Sequence, residues 1–110
     1  MSPVLQSEIV AVYVIFGSDE EARRIGRDMV ERRLAACVNI LGPCRSIYRW
    51  QGAVESADEV PALFKTTDFQ AEMLMTRIAG LHSYDVPCVA VWPIDKLLGS
   101  YAEWVEGSVG

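Results

Sequence analysis

Hydrophobic positions along the chain alternate between two spacings. The run Ile9-Val10-Ala11-Val12-Tyr13-Val14-Ile15-Phe16 is β-branched and aromatic almost throughout, which predicts a strand covered on both faces near the centre of a sheet, closed by Gly17. Ser18-Asp19-Glu20-Glu21 has the form of a capping box and starts a helix at Asp19. Ala22, Ile25, Met29 and Val30 make one apolar stripe, acids crowd the first turn, and Arg32-Arg33 fall in the last, so the helix is expected to run to about Arg33 with its dipole complemented at both ends. Ala36–Leu41 returns to strand spacing, Gly42-Pro43 interrupts it and Ser46–Trp50 resumes it, which reads as one long strand with a bulge or bend.

Gln51-Gly52 makes a turn, and Ala53–Thr66 forms the second arm of a long hairpin, imperfect at Pro61, which cannot donate to a ladder and favours an edge or an irregular spot. Thr67-Asp68-Phe69-Gln70 is a second capping box, followed at helical spacing by Ala71, Leu74, Ile78 and Leu81, with the helix ending near Gly80 to His82. Val86–Ile94 reads as a buried strand bracketed by prolines, and Ser100–Glu106 as a short helix turning Tyr101, Trp104 and Val105 inward. The order β-α-β-β-α-β plus one helix predicts an α+β chain with the ferredoxin-like split fold, one domain over residues 1–110, both helices lying on one face of a four-stranded antiparallel sheet. One short terminal helix is too small to cover the other face, and the hairpin overruns so narrow a sheet. Exposed edges and apolar surface therefore predict self-association.

Composition narrows the function. Apolar residues make up 51% and charged residues 23%, which supports a real core and not a disordered chain. Fifteen acids against ten bases give −5, so a nucleic-acid backbone would meet net repulsion. Cys37, Cys44 and Cys88 cannot all pair within one chain and lack C-x-x-C spacing, pointing to reduced thiols and a cytoplasmic location. Met1 to Glu8 has no basic leader region, and Ile9–Phe16 is far shorter than the roughly 20 residues of a membrane span, so no membrane association and no processing are expected.

The chain offers little catalytic chemistry. Neither phosphate-cradling glycine motif is present, and the single histidine, His82, excludes a metal site built on two histidines of one chain. His82 reads as the cap of the second helix, or as the best nitrogen donor to a metal. His82-Ser83-Tyr84-Asp85 lacks the nucleophile elbow of a serine hydrolase, and Cys37 and Cys88 sit in apolar strands where a thiol usually fills space. Glu55, Asp58 and Glu59 read as a solvated edge, and Lys65 as a cation paired to a carboxylate or an anion holder. Trp50, Trp92 and Trp104, with Tyr48, Tyr84 and Tyr101, are assigned mostly to packing between subunits.

The segments Arg33–Ile40, Ser46–Gly52, Phe64–Thr67, Leu81–Pro87, then Pro93-Ile94 with Tyr101 and Trp104, closely resemble the CutA divalent-cation-tolerance family across nearly the whole chain. The resemblance implies a ferredoxin-like subunit in a homotrimer like that of PII-type signalling proteins, no enzymatic activity, and a part in tolerance of divalent metals, chiefly copper. One histidine per chain, thiols in apolar strands and a carboxylate-rich hairpin give at most a shallow site. Any Cu2+ or Zn2+ is therefore expected to bind weakly and not to be required for folding, with His82 as ligand and Cys37, which matches the family Cys of this strand, as a second choice. The alternative the resemblance allows is a PII-like regulator taking a small anionic ligand or a partner protein in a cleft near Trp50, Lys65, Tyr84 and Trp104. Two departures from the family pattern stand out. Phe16-Gly17 occupies the strand end where the bacterial copper proposal has a Cys, and Leu81-His82 replaces its His-His pair; the Gly of the loop after Pro93-Ile94 also comes late, at Gly99.

Overall fold

A computed structural model describes residues 4–6 and 8–110. The unprocessed N-terminus expected over Met1 to Glu8 lies partly outside them. In chain order the elements are β1 (Val4–Gln6), β2 (Ile9–Phe16), α1 (Asp19–Glu31), β3 (Cys37–Ile40), β4 (Cys44–Trp50), β5 (Ala53–Thr67), α2 (Asp68–Leu81), β6 (Val89–Pro93), β7 (Lys96–Leu98) and α3 (Gly99–Ser108). The main sheet runs β3-β5-β2-β6, all neighbours antiparallel, with β4 pairing the first half of β5. Each β-α-β unit thus leaves a one-strand gap that the other unit's strand fills, which is the ferredoxin-like arrangement.

Alternation along β2 divides the two faces. Val10, Val12, Val14 and Phe16 point to α1 and α2, where they meet Ile25, Met29, Ala62, Phe64, Leu74 and Ile78 in one core cluster. Ile9 points the other way and packs with Ala36, Ala102 and Val105, so α3 covers only that end of the opposite face. The remainder stays open in the single chain: Tyr13, Ile15 and Leu63 are half-buried, and Trp92 is exposed and stacked on Tyr13 at 4.5 Å.

The long strand expected over Ala36–Trp50 is two strands, and Pro61 explains the break. Its carbonyl accepts from Leu41 N–H at 2.9 Å, while its nitrogen, facing the same side, has no hydrogen to return. The ladder lapses there, between β3 and β4, and Pro61 sits in an inner strand and not at an edge. At the far end of the hairpin Gln51 and Gly52 both take positive φ (50° and 84°), the turn that matches strand twist. The projecting hairpin accounts for an elongated body of 50 × 25 × 22 Å.

Both helix starts follow the capping boxes: Ser18 Oγ accepts from Glu21 N–H at 3.1 Å and Thr67 Oγ1 from Gln70 N–H at 3.2 Å. The end of α1 does not follow the sequence reading. The helix stops at Glu31, and Arg33 takes φ +61° and leaves the helix axis. Its guanidinium donates to the Gly107 and Gly110 carbonyls, both at 3.0 Å, so it caps α3 and does not complement α1. β1 and β7 pair with each other as a separate two-stranded sheet, and β6 begins at Val89, three residues after the expected Val86. Trp104, expected to face inward, is exposed.

Candidate functional site

The chemistry-bearing residues gather where β2 ends and α2 ends. The β2 strand must turn into α1 at Gly17-Ser18, and α2 must turn back toward β6 at His82, so two loops meet over Phe16. The His82 ring lies parallel to Phe16 with centroids 5.2 Å apart. Its Nε2–H donates to the Ile15 carbonyl at 2.8 Å and its Nδ1 accepts from Tyr84 N–H at 3.1 Å, an assignment of the proton to Nε2 made from these partners. Both nitrogens are therefore engaged with backbone, and a metal at either would displace one of the two bonds.

Glu21 joins the two loops. Only 4% exposed, its carboxylate accepts from Gly17 N–H at 3.3 Å through Oε1 and from Ser83 N–H at 2.9 Å through Oε2. Burial pushes this carboxyl up, but the Ser83 and Gly17 hydrogen bonds with nearby His82 outweigh it and hold the group below its ordinary value. The capping-box glutamate thus reaches Gly17 and a loop 62 residues away.

Tyr84 closes the cluster from outside. Its hydroxyl donates to Glu59 Oε2 at 2.8 Å and its ring lies against Gly17, where a Cβ would stand 3.0 Å from the Tyr84 hydroxyl oxygen. Desolvation, then the Glu59 bond and charge, push the phenol up to about 12, so the hydroxyl keeps its proton and stays a donor to Glu59 at neutral pH. Glu59 is itself buried, which corrects the solvated-edge reading for this residue, whereas Glu55 and Asp58 are exposed as expected. Around the same end of the open face, burial first, then Cys44, Cys88 and Glu59, hold Tyr13 above its ordinary value. Burial and Glu59 raise the Cys88 thiol, leaving it a poor nucleophile although it is exposed and not packed inside its strand.

The other expected site residues lie elsewhere. Lys65 donates to Asn39 Oδ1 at 2.6 Å, an amide and not the carboxylate expected. Cys37 Sγ is 3.8 Å from the Tyr101 hydroxyl, which burial and then Cys37 push up to about 12, and the Tyr101 ring lies tilted against Trp104 with centroids 5.8 Å apart. Trp50 stands at the hairpin turn opposite Ala53. Along β5 the partners of Trp50, Tyr84 and Lys65 are Ala53, Glu59 and Lys65 itself, six residues or roughly 20 Å apart at each step. One chain does not bring Trp50, Tyr84 and Lys65 together. Among the described residues no three His, Cys, Asp or Glu side chains converge as a metal site.

Sequence reasoning missed Glu21, Glu59 and Arg33 as tertiary partners. Only Glu21 carried a signal, its capping-box position.

Comparison with known proteins gives a consistent result. A family model described as CutA1 divalent ion tolerance protein matches residues 10–108. The divalent-cation tolerance protein CutA of Thermus thermophilus is 41% identical over 99 residues, 90% of this chain and 96% of that one. Human protein CutA is 33% identical over 105 residues, covering 96% of this chain and 59% of its own. Among solved structures, CutA from Synechococcus elongatus superposes with a TM-score of 0.93 at 30% identity, over 99% of this chain and 97% of that one. The Archaeoglobus fulgidus structure, described as a periplasmic divalent cation tolerance protein, gives 0.90 at 33% identity, over 93% and 99%.

Proposed function

Since the chain belongs to the CutA1 divalent ion tolerance protein family, we propose that it serves divalent-metal tolerance, copper foremost, as a non-enzymatic homotrimer that binds Cu2+ or Zn2+ weakly. The family match over residues 10–108 is the observation that supports this reading. The trimer draws support from the sheet face that α3 leaves open and from the hairpin carrying Trp50, Ile47 and Val54 into solvent. Weak binding follows from the ligand count. His82 gives up a hydrogen bond to coordinate, and further ligands have to come from carboxylates, water or a neighbouring subunit. Folding needs no metal in this reading. Three unpaired cysteines favour a reducing compartment, the cytoplasm, and no described helix is long and apolar enough to cross a membrane.

Sedimentation and calorimetric titration test it together. The expected result is a trimer at micromolar concentration that Trp50→Ala weakens, with Cu(II) or Zn(II) binding at about micromolar Kd or weaker that His82→Ala largely removes. A monomer, nanomolar binding, or equal binding in His82→Ala would overturn the corresponding part.

A further inference from the structure

The outer face of α2 is built unlike that of its neighbour. A helix packed on a sheet normally keeps one apolar stripe and turns charge outward. α1 does this, with Asp19–Arg23, Glu20–Arg24, Arg27–Glu31 and Asp28–Arg32 paired one turn apart along its exposed side. α2 buries Ala71, Leu74 and Ile78 as expected, yet it also carries Phe69, 91% exposed, and Met73, 63% exposed, one turn apart on its outer side, with Leu81 partly exposed at its end. These apolar side chains line a shallow groove of about 990 Å3 between α2 and the end of α1. Its rim carries Arg32, Arg33 and Arg77 against a single acid, Glu72. Three of the chain's ten cations thus stand around one apolar groove in a protein of net charge −5. Arg77 has no ion pair among the described residues.

We propose that this groove docks an acidic amphipathic segment of a partner protein, its apolar residues seated on Phe69, Met73 and Leu81 and its carboxylates on Arg77, since Arg32 is already paired with Asp28 and Arg33 donates to the Gly107 and Gly110 carbonyls. Helix-in-groove recognition uses anchors at such spacing, and methionine adapts its shape to different anchors. Charge complementarity selects an acidic partner segment. The lining is concave and not a flat face, which favours a segment over an anionic membrane surface. The groove lies on the helix side of the sheet, away from the open face, so the inference stands apart from the trimer and from metal binding.

The test uses the full chain and a fluorescent 16-residue helical probe peptide with Leu and Phe one turn apart and Glu at the flanking positions. Fluorescence anisotropy should give saturable binding, weakened about tenfold in Phe69→Ser and in Arg77→Glu, with a Lys-for-Glu peptide binding at least about tenfold more weakly than the acidic one. Phe69 is solvent-exposed, so the circular dichroism and melting of Phe69→Ser should match the parent. No saturable binding, or equal binding by both variants, overturns the proposal. So does sedimentation showing that Phe69→Ser dissolves a contact between copies of this chain, or flotation of the parent with phosphatidylglycerol vesicles that Phe69→Ser abolishes.

Discussion

One strand, β5, lives in two environments. From Val60 to Thr67 it is an inner strand, with β2 on one side, β3 along Ala62–Lys65 and helices above; Val60, Ala62, Phe64 and Thr66 are all buried. From Ala53 to Glu59 it pairs only with β4, and Val54 is 65% exposed. Sequence alternation alone does not separate the halves, since both are strand-forming. The difference lies in what the chain places beside them. The first half offers backbone and apolar surface to whatever lies outside the subunit, and the second holds the subunit itself.

Breaking the inner half should have the largest effect. Phe64 is fully buried and meets Phe16 at 6.4 Å, so Phe64→Ala should cost about 3–5 kcal/mol in urea unfolding at fixed protein concentration. At the strand's midpoint, Tyr84→Phe leaves the buried Glu59 carboxylate without the hydroxyl that donates to it, a loss of about 1–3 kcal/mol. The pH dependence has a definite sign. Tyr84 has a folded-state value of about 12 against an ordinary 10.0, so its stabilisation is complete below pH 10 and is lost as pH rises through about 12. The difference in stability between parent and Tyr84→Phe should therefore shrink over that alkaline window, and a difference constant with pH would refute the assignment. At the outer half, Val54→Thr should change chain stability by no more than about 0.5 kcal/mol, and a loss comparable to that of Phe64→Ala would show that the halves are equivalent.

Much of this architecture was legible in advance because β2, β5, α1 and α2 are long enough for their period to repeat and carry their own caps. β1 and β7 were not, being three residues each, too short for any period, and paired between Val4 and Leu98 across nearly the full chain. The site was legible in parts. His82, Tyr84 and the cap at Ser18 stood out by residue type, but the contacts that join them are long-range. Glu59 sits in an acidic run that gives no hint which member turns inward, and Arg33 next to Arg32 looks like a helix-end cation until the chain direction reverses at its positive φ. Lys65 found an amide because Asn39 lies two residues beyond Cys37, its register partner on the neighbouring strand, and so shares its face.

Pro61 has a consequence for how the chain avoids error. Antiparallel strands can slide, and a sequence as uniformly apolar as Ile9–Phe16 tolerates several alignments against β5. A residue without an N–H is best tolerated where the acceptor opposite it can turn to water. In the native alignment that position faces Leu41-Gly42-Pro43, where pairing has already lapsed. Slide the β3–β4 arm by two residues so that Asn39 faces Pro61, and the missing donor falls opposite a residue of β3 whose carbonyl then goes unmet inside the sheet. The proline thus acts as a keyed notch, penalising misaligned hairpins, while the native one leaves only the Leu41 carbonyl without its ladder donor, at a residue open to water.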